Sequence, residues 1–290
     1  MNRRLALVVL AVALLGALVL APGAMADVLT PESGGSPNAD KIDTLYKIVF
    51  IISIPIFLAV EGVLIYSLIK FRDRSGGPEP VQIRGNHQLE LGWTVGAAVI
   101  VVILAIITFL FLPGIKNPPA SDPDGLAQGV QVASIDQPAP PKGKIKPLTI
   151  KVNGQQYVWR FQYPASGDGV YSYYRMIVPT HTTVILSITS SDVAHSWWIP
   201  KLGGKADAVP GHTNQTWFKI DKEGTYKGNC AELCGDGHAD MRGVVKAVSP
   251  ARYQQFVAKR QREIKASQRG LAQQRREREG QSQSGQGEND

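Results

Sequence analysis

The chain of 290 residues has little cysteine, only two residues, and only five histidines. Two cysteines allow one disulfide at most, so no disulfide framework holds this fold together. Long apolar runs are missing after residue 113, which places any membrane span before that point and leaves the remainder polar enough for a soluble domain. Acidic residues are fewer than basic ones, 24 against 31, giving a formal net charge of +7. Residues 251–290 contribute nine Lys/Arg against five Asp/Glu. No aromatic stacking platform accompanies that charge, so nucleic acid is not an expected partner. The same stretch is rich in Gln, Arg, Glu, Ser and Gly and poor in apolar residues after Ile264. It reads as a polar basic tail, a short helix fading into disorder.

Apolar sequence is concentrated at the start. Residues 1–26 read as a secretory signal peptide, with Arg3 and Arg4 as the basic end, Leu5 to Leu20 as the apolar core and Ala24-Met25-Ala26 as a small-x-small cleavage site. An uncleaved membrane helix is the alternative. Residues 27–113 then hold an N-terminal segment and a transmembrane helix hairpin, with spans over Leu45–Phe71 and Trp93–Leu112. Arg72, Arg74 and Arg84 lie in the loop between them, with Lys70 at its edge, and the positive-inside rule puts that loop in the cytoplasm. Everything after Pro113 therefore faces the periplasm or exterior. Tyr46, Tyr66 and Trp93 stand near span ends, as interfacial aromatics do. Glu61 lies inside the first span, where a carboxylate needs a polar neighbour. Glu90 precedes the second span, where the helix macrodipole favours an acid.

Residues 114–147, rich in Pro, Gly, Asp and Ala, read as a linker. From residue 148 to 250 the pattern changes. Leu148–Tyr163, Tyr174–Val178, Thr183–Thr189, Asn214–Ile220 and Arg242–Val248 are short, often alternating and rich in β-branched and aromatic residues, with turn signals at Asn153-Gly154 and Glu223-Gly224. This spacing predicts an all-β sandwich or barrel of about 100 residues.

The chemistry is concentrated in Cys230-Ala-Glu232-Leu-Cys234-Gly-Asp-Gly-His238-Ala-Asp-Met241, joined by His195 in Asp192-Val-Ala-His195-Ser-Trp197, which is expected on an inter-strand turn. Thiolate and thioether are soft donors and imidazole is intermediate, a set that suits copper. One cysteine with two histidines and a methionine would suit a mononuclear site. Two thiolates can bridge two coppers, leaving one histidine for each, with Met241 and a carbonyl oxygen as weak outer ligands. A Cys230–Cys234 disulfide and a structural zinc site of two Cys and two His remain open as alternatives, and Met241 speaks against zinc. His181 and His212 have no soft donor near them in sequence and are read as non-ligands.

The pattern C-x-E-x-C-x-x-x-H-x-x-M, with D-V-x-H-S-W upstream, resembles the dinuclear copper (CuA) site of the cytochrome c oxidase subunit II family. Lys205-Ala-Asp207-Ala-Val-Pro210-Gly211 and Asn214-Gln215 match it as well. The resemblance covers roughly residues 40–250. It implies a two-helix transmembrane hairpin followed by an all-β, cupredoxin-like Greek-key barrel. It places the bridging thiolates on Cys230 and Cys234, the histidine ligands on His195 and His238, the thioether on Met241 and the carbonyl ligand on Glu232. The Glu232 side chain would also reach a magnesium ion shared with subunit I. Glu90, in Gln88-Leu-Glu90-Leu-Gly-Trp93, falls on the glutamate at the mouth of a proton pathway.

There are two departures from the family pattern. The segment often written G-x-Q-W-Y-W reads Gly154-Gln155-Gln156-Tyr157-Val158-Trp159, so the electron-accepting tryptophan falls on Tyr157, and either Tyr157 or Trp159 takes that role. Residues 149–250 hold ten Lys/Arg and eight Asp/Glu, a mildly basic balance that points to a membrane-tethered or small acidic donor. The resemblance implies subunit II of an aa3-type cytochrome c oxidase in a bacterial plasma membrane, with the copper domain outside. Its partners would be subunit I, other oxidase subunits, membrane lipid and cytochrome c. Electrons from cytochrome c would pass to haem in subunit I for oxygen reduction with proton pumping. A nitric oxide reductase with a CuA subunit would carry the same ligands, and the partner subunit's gene distinguishes the two. A quinol oxidase subunit would lack them.

Overall fold

The structure, a computed structural model, describes residues 30–72, 81–126, 147–164 and 169–286, with side chains described to residue 279. The expected signal peptide, Arg74 and most of the expected linker lie outside those residues. The chain divides into two units, one of residues 1–32 and 40–115 and the other of residues 33–39 and 116–290.

The first unit holds two helices, α1 (Pro37–Lys70), whose first three residues belong to the other unit, and α2 (His87–Lys116). At 34 and 30 residues both are long and apolar enough to cross a membrane. Each runs several residues beyond its predicted span, through the polar residues that flank the apolar stretch. Their side chains, such as Ile51, Phe57, Val63, Val95, Val101 and Phe109, are exposed around the whole circumference, as suits a hydrocarbon solvent. The start of α1 lies beside the end of α2, because Lys41 Nζ stands 6.0 Å from the Phe111 ring centroid. The pair is therefore the expected hairpin. Pro113 does not end α2, which continues through it to Lys116. At the other end Asn86 caps α2: Leu89 N donates to Asn86 Oδ1 (3.2 Å), and Asn86 N donates to Glu90 Oε1 (3.2 Å).

The second unit is built on β-strands. A five-stranded sheet has the order β3 (Val170–Tyr173), β2 (Val158–Tyr163), β1 (Leu148–Gln155), β5 (Thr183–Ser190), β8 (Asn214–Lys219). A three-stranded sheet has the order β4 (Arg175–Pro179), β10 (Arg242–Val248), β9 (Gly224–Asn229). A short pair, β6 (His195–Trp197) and β7 (Ala206–Ala208), completes it. The β1–β5 and β4–β10 pairings are parallel and the others antiparallel, so the chain crosses between sheets rather than meandering. Alternation makes the core: Trp159, Phe161 and Tyr163 point inward from β2 on the same sheet as the buried Ile150, Leu186 and Ile188, and Met176 and Val245 of the three-stranded sheet join the same core, all essentially without exposed surface.

The expected Leu148–Tyr163 run is two strands, and its turn lies at Gln156–Tyr157 rather than at Asn153-Gly154. Gly154 is inside β1 for a different reason, which concerns His195 below. Sequence reading also missed β3, β6 and β7, which are four residues or fewer, and β9, which carries two glycines and a single β-branched residue. The segment leading from α2 is partly fastened to the sandwich: Thr183 N donates to Ser121 Oγ (3.0 Å), and Leu126 is buried in the core.

The C-terminal segment differs from its expectation. Instead of a short helix fading out, α3 runs unbroken over Pro250–Gln286. Tyr253 and Phe256 pack their rings on Tyr163, with centroids 6.3 and 5.4 Å away. Beyond Ile264 the described side chains are exposed, and the helix rests on the high propensity of Ala, Gln, Arg, Glu and Lys and on local pairs such as Gln273–Glu277 (3.0 Å).

Candidate metal centre

Three segments converge at one end of the sandwich: the β1–β2 turn, strand β6, and the loop from Cys230 to Met241 between β9 and β10. His195 sits on β6 rather than on a turn, paired with Ala208. Its ring occupies space that only glycine leaves open, since a Cβ on Gly154 would lie 2.8 Å from His195 Cδ2. The loop is stitched down at its base, where Cys230 N donates to Met241 O and Ala231 N to Ser196 O, both at 2.9 Å. Gly235 takes φ +128°, a conformation that L side chains rarely adopt, and this turns the loop back toward His238.

The sulfur atoms of Cys230 and Cys234 are 3.9 Å apart, nearly twice a disulfide bond length, and both thiols are free. Each faces its own imidazole. Cys230 Sγ lies 3.9 Å from His195 Nδ1, and Cys234 Sγ lies 3.7 Å from His238 Nδ1. The Met241 sulfur is 3.9 Å from Cys234 Sγ, and the Glu232 carbonyl is 3.3 Å from Cys230 Sγ. All six expected donors are thus gathered. His195, Cys230 and Cys234 form a group whose donor atoms lie within 4.8 Å of one another and could hold a metal ion, and His238 falls outside that mutually close set. His195 and Met241 have no exposed surface, the two cysteines have almost none, and His238 is half-buried. Burial pushes the Cys234 thiol well above the usual range, and the neighbouring Cys230 adds to the effect. Cys234 therefore holds its proton more tightly than a free thiol until a metal displaces it.

Over residues 170–248 the sequence matches the family description "Cytochrome C oxidase subunit II, periplasmic domain", and over 26–111 its "transmembrane domain". A probable cytochrome c oxidase subunit 2 of Rickettsia bellii is 32% identical over 242 residues, covering 77% of this chain and 80% of the relative. A cytochrome c oxidase subunit 2 of Synechocystis is 33% identical over 257 residues, covering 77% and 73%. Among solved structures, the periplasmic domain of cytochrome oxidase subunit II from Bradyrhizobium japonicum aligns with a TM-score of 0.39 at 32% identity, covering 40% of this chain and 94% of that domain. The chain belongs to the cytochrome c oxidase subunit II family. It is accordingly a component of the haem–copper oxidase complex, associates with other oxidase subunits, and is a membrane protein with a periplasmic domain.

The remaining residues singled out for this subunit II are placed as follows. Trp159 is wholly inside the core, edge-on to Trp197 (5.2 Å) and to His195 (5.9 Å), with Nε1 lacking an acceptor. It offers no surface to an external donor. Tyr157 is half-buried in the hairpin turn, and its ring covers Gly235 and Gly237 of the cysteine loop. Glu232 directs its carbonyl to the centre while the residue as a whole is exposed. Glu90 belongs to the first unit and accepts the Asn86 amide. His181 has carboxylates rather than soft donors around it, Asp122 at 3.6 Å, Asp124 at 3.7 Å and Asp221 at 3.9 Å, and Lys219 already grips Asp122 through both oxygens.

Two residues escaped sequence reasoning. Asp192 Oδ1 accepts from His195 Nε2 at 2.9 Å, which leaves Nδ1 facing the sulfur. Desolvation opposes the Asp192 charge, but hydrogen bonds from His195 and from the Gln156 and Val193 amides hold its carboxyl down to about 2. Gln156 donates its side-chain amide to the Cys234 carbonyl at 2.7 Å. The D-V-x-H-S-W motif contains both Asp192 and His195 but does not show that they bond to each other, and the third partner, the Gln156 amide, comes from another loop.

Proposed function

We propose that this chain is the electron-accepting subunit of an aa3-type cytochrome c oxidase, holding a dinuclear copper centre on the outer side of a bacterial plasma membrane. It takes electrons from cytochrome c and hands them to haem in subunit I, where oxygen is reduced to water and protons are pumped.

The observation that carries this reading is the pair of unbonded sulfurs, 3.9 Å apart, each with a separate imidazole nitrogen at its flank. Four donors around one zinc ion would sit mutually close, at distances set by metal–ligand bonds of about 2.0–2.3 Å. His238 falls outside the mutually close set, and this favours a centre with two ions. Cys230, Cys234, His195 and His238, with the Met241 thioether and the Glu232 carbonyl, would hold it. When bound, such a centre supplies a one-electron carrier. The residues around it do the rest. Asp192 fixes the His195 tautomer, and the buried thiols and thioether exclude water. Tyr157, the half-exposed aromatic over the cysteine loop, presents the contact for the donor. The Glu232 side chain, on an exposed residue, is assigned to a magnesium ion shared with subunit I, and Glu90 to the mouth of a proton pathway there. Glu61 would face subunit I rather than lipid.

Cys234→Ser in the assembled oxidase tests the ligand assignment. It is expected to leave at most one copper in the centre and to stop cytochrome c oxidation. A variant that keeps both coppers and full turnover would contradict it.

A further inference from the structure

The β1–β2 turn reaches both metal-bearing segments through one residue. The Gln156 backbone amide donates to Asp192 Oδ2 at 2.7 Å, and the other oxygen of that carboxylate receives His195 Nε2 at 2.9 Å. The Gln156 side chain turns the opposite way, its Nε2 donating to the carbonyl of Cys234 at 2.7 Å. Gln156 therefore spans from the orienting partner of one imidazole to the backbone of one thiol. Partners 36 and 78 residues away in sequence are tied at a single point. The contacts are local as well as bonded, since a Cβ at Gly235, directly after Cys234, would lie 3.0 Å from Gln156 Nε2.

We propose that Gln156 is a positioning residue of the copper centre, resting on the copper reading above. It fixes the separation between the His195 side and the Cys234 side, so that the donors are held in register before metal arrives. The peptide following Cys234 leads into Gly235, whose φ of +128° belongs to a residue with wide conformational freedom. Without an external donor on the Cys234 carbonyl, that segment would be free to rotate and carry the thiol with it. Glycine supplies the turn, and the Gln156 amide removes the freedom the glycine introduces. Asp192 would keep its bond to His195 in a side-chain variant, because its contact with residue 156 is to the backbone. The effect should therefore appear on the Cys234 side.

The test uses the full chain loaded with copper, comparing wild type, Gln156→Ala, Gln156→Glu and the neighbouring control Gln155→Ala. Outer-sphere partners of metal ligands typically change metal affinity by about 10–100-fold. The expected result is copper loss to a competing chelator roughly tenfold faster in Q156A, at the low end of that range. It should come with a shifted midpoint potential and an altered copper hyperfine pattern, while Q155A matches wild type. Q156E keeps the side-chain length but presents an acceptor to an acceptor, so it should behave like Q156A. It also decides the matter if Q156A fails to fold. Wild-type retention, potential and spectrum in both Gln156 variants would overturn the proposal. A wild-type chain that binds no copper pair would instead overturn the reading on which it rests.

Discussion

Gly237 lies so close under the Tyr157 ring that a Cβ there would overlap ring carbons. The ring is held by the turn of β1 and β2, so it cannot swing aside without disturbing Gln156. Gly237→Ala is therefore expected to destabilise the domain by about 1–3 kcal/mol, the usual range for overpacking, and to weaken copper loading. Chemical denaturation followed by tryptophan fluorescence measures the first, and an unchanged midpoint would show that the loop yields freely. Met241→Leu should be milder than loss of a cysteine. It is close to volume-conserving in a fully buried position, so two coppers should remain and the reduction potential should move. A wild-type potential would remove Met241 from the ligand set. Glu90→Gln separates structure from function, because glutamine can still accept the Asn86 amide. Turnover should fall while the copper spectrum stays the same, and unchanged turnover would reduce Glu90 to a helix cap. The donors themselves were readable in sequence because five of the six fall within twelve contiguous residues. Gln156 was not, since nothing along the chain reveals which loops will touch, and Asp192, three residues before His195, was passed over because a carboxylate is not itself a soft donor.

The elements explain what sequence reading found and what it misplaced. Strand β2 alternates strictly, within a run that sequence reading gave as a single strand with β1, and its inward residues are the buried aromatics Trp159, Phe161 and Tyr163. Phe161→Ala should cost about 3–5 kcal/mol in unfolding free energy, the range for a large aromatic removed from a core. A loss under 1 kcal/mol would mean that the sheets do not close on this ring. Asn153-Gly154 looked like a turn because glycine breaks strands locally. The glycine instead makes room for His195, a demand from a strand 41 residues away that local reading does not register. Strands β6 and β7 are three residues each and carry little periodicity to detect. The tail misled through composition, since low hydrophobicity suggests disorder while high intrinsic propensity still yields a helix. Deleting residues beyond Ala266 should leave unfolding within about 0.5 kcal/mol of wild type, because the described side chains removed are exposed. Phe256, packed on Tyr163, should not be removable so freely.

On the scale of the whole molecule, two apolar helices and an all-β domain match the architecture expected from sequence, and family membership joins them to an oxidase complex. The overall charge is harder to reconcile with a basic donor, since the β domain is mildly basic and α3 adds further cations. Oxidation of an acidic cytochrome c is expected to slow as salt rises toward 0.1 M, where the Debye length falls to about 10 Å. A rate that fell with salt for a lysine-rich donor, and again when its lysines were neutralised, would reverse this view of the docking face. Donor docking matters only if the centre holds a redox metal. The decisive measurement is copper stoichiometry together with the electron paramagnetic resonance spectrum of the purified full chain. The account predicts two coppers per chain sharing one unpaired electron over both nuclei. One copper, a bound zinc, or no metal would contradict it, leaving the fold intact and the electron-accepting role without a carrier.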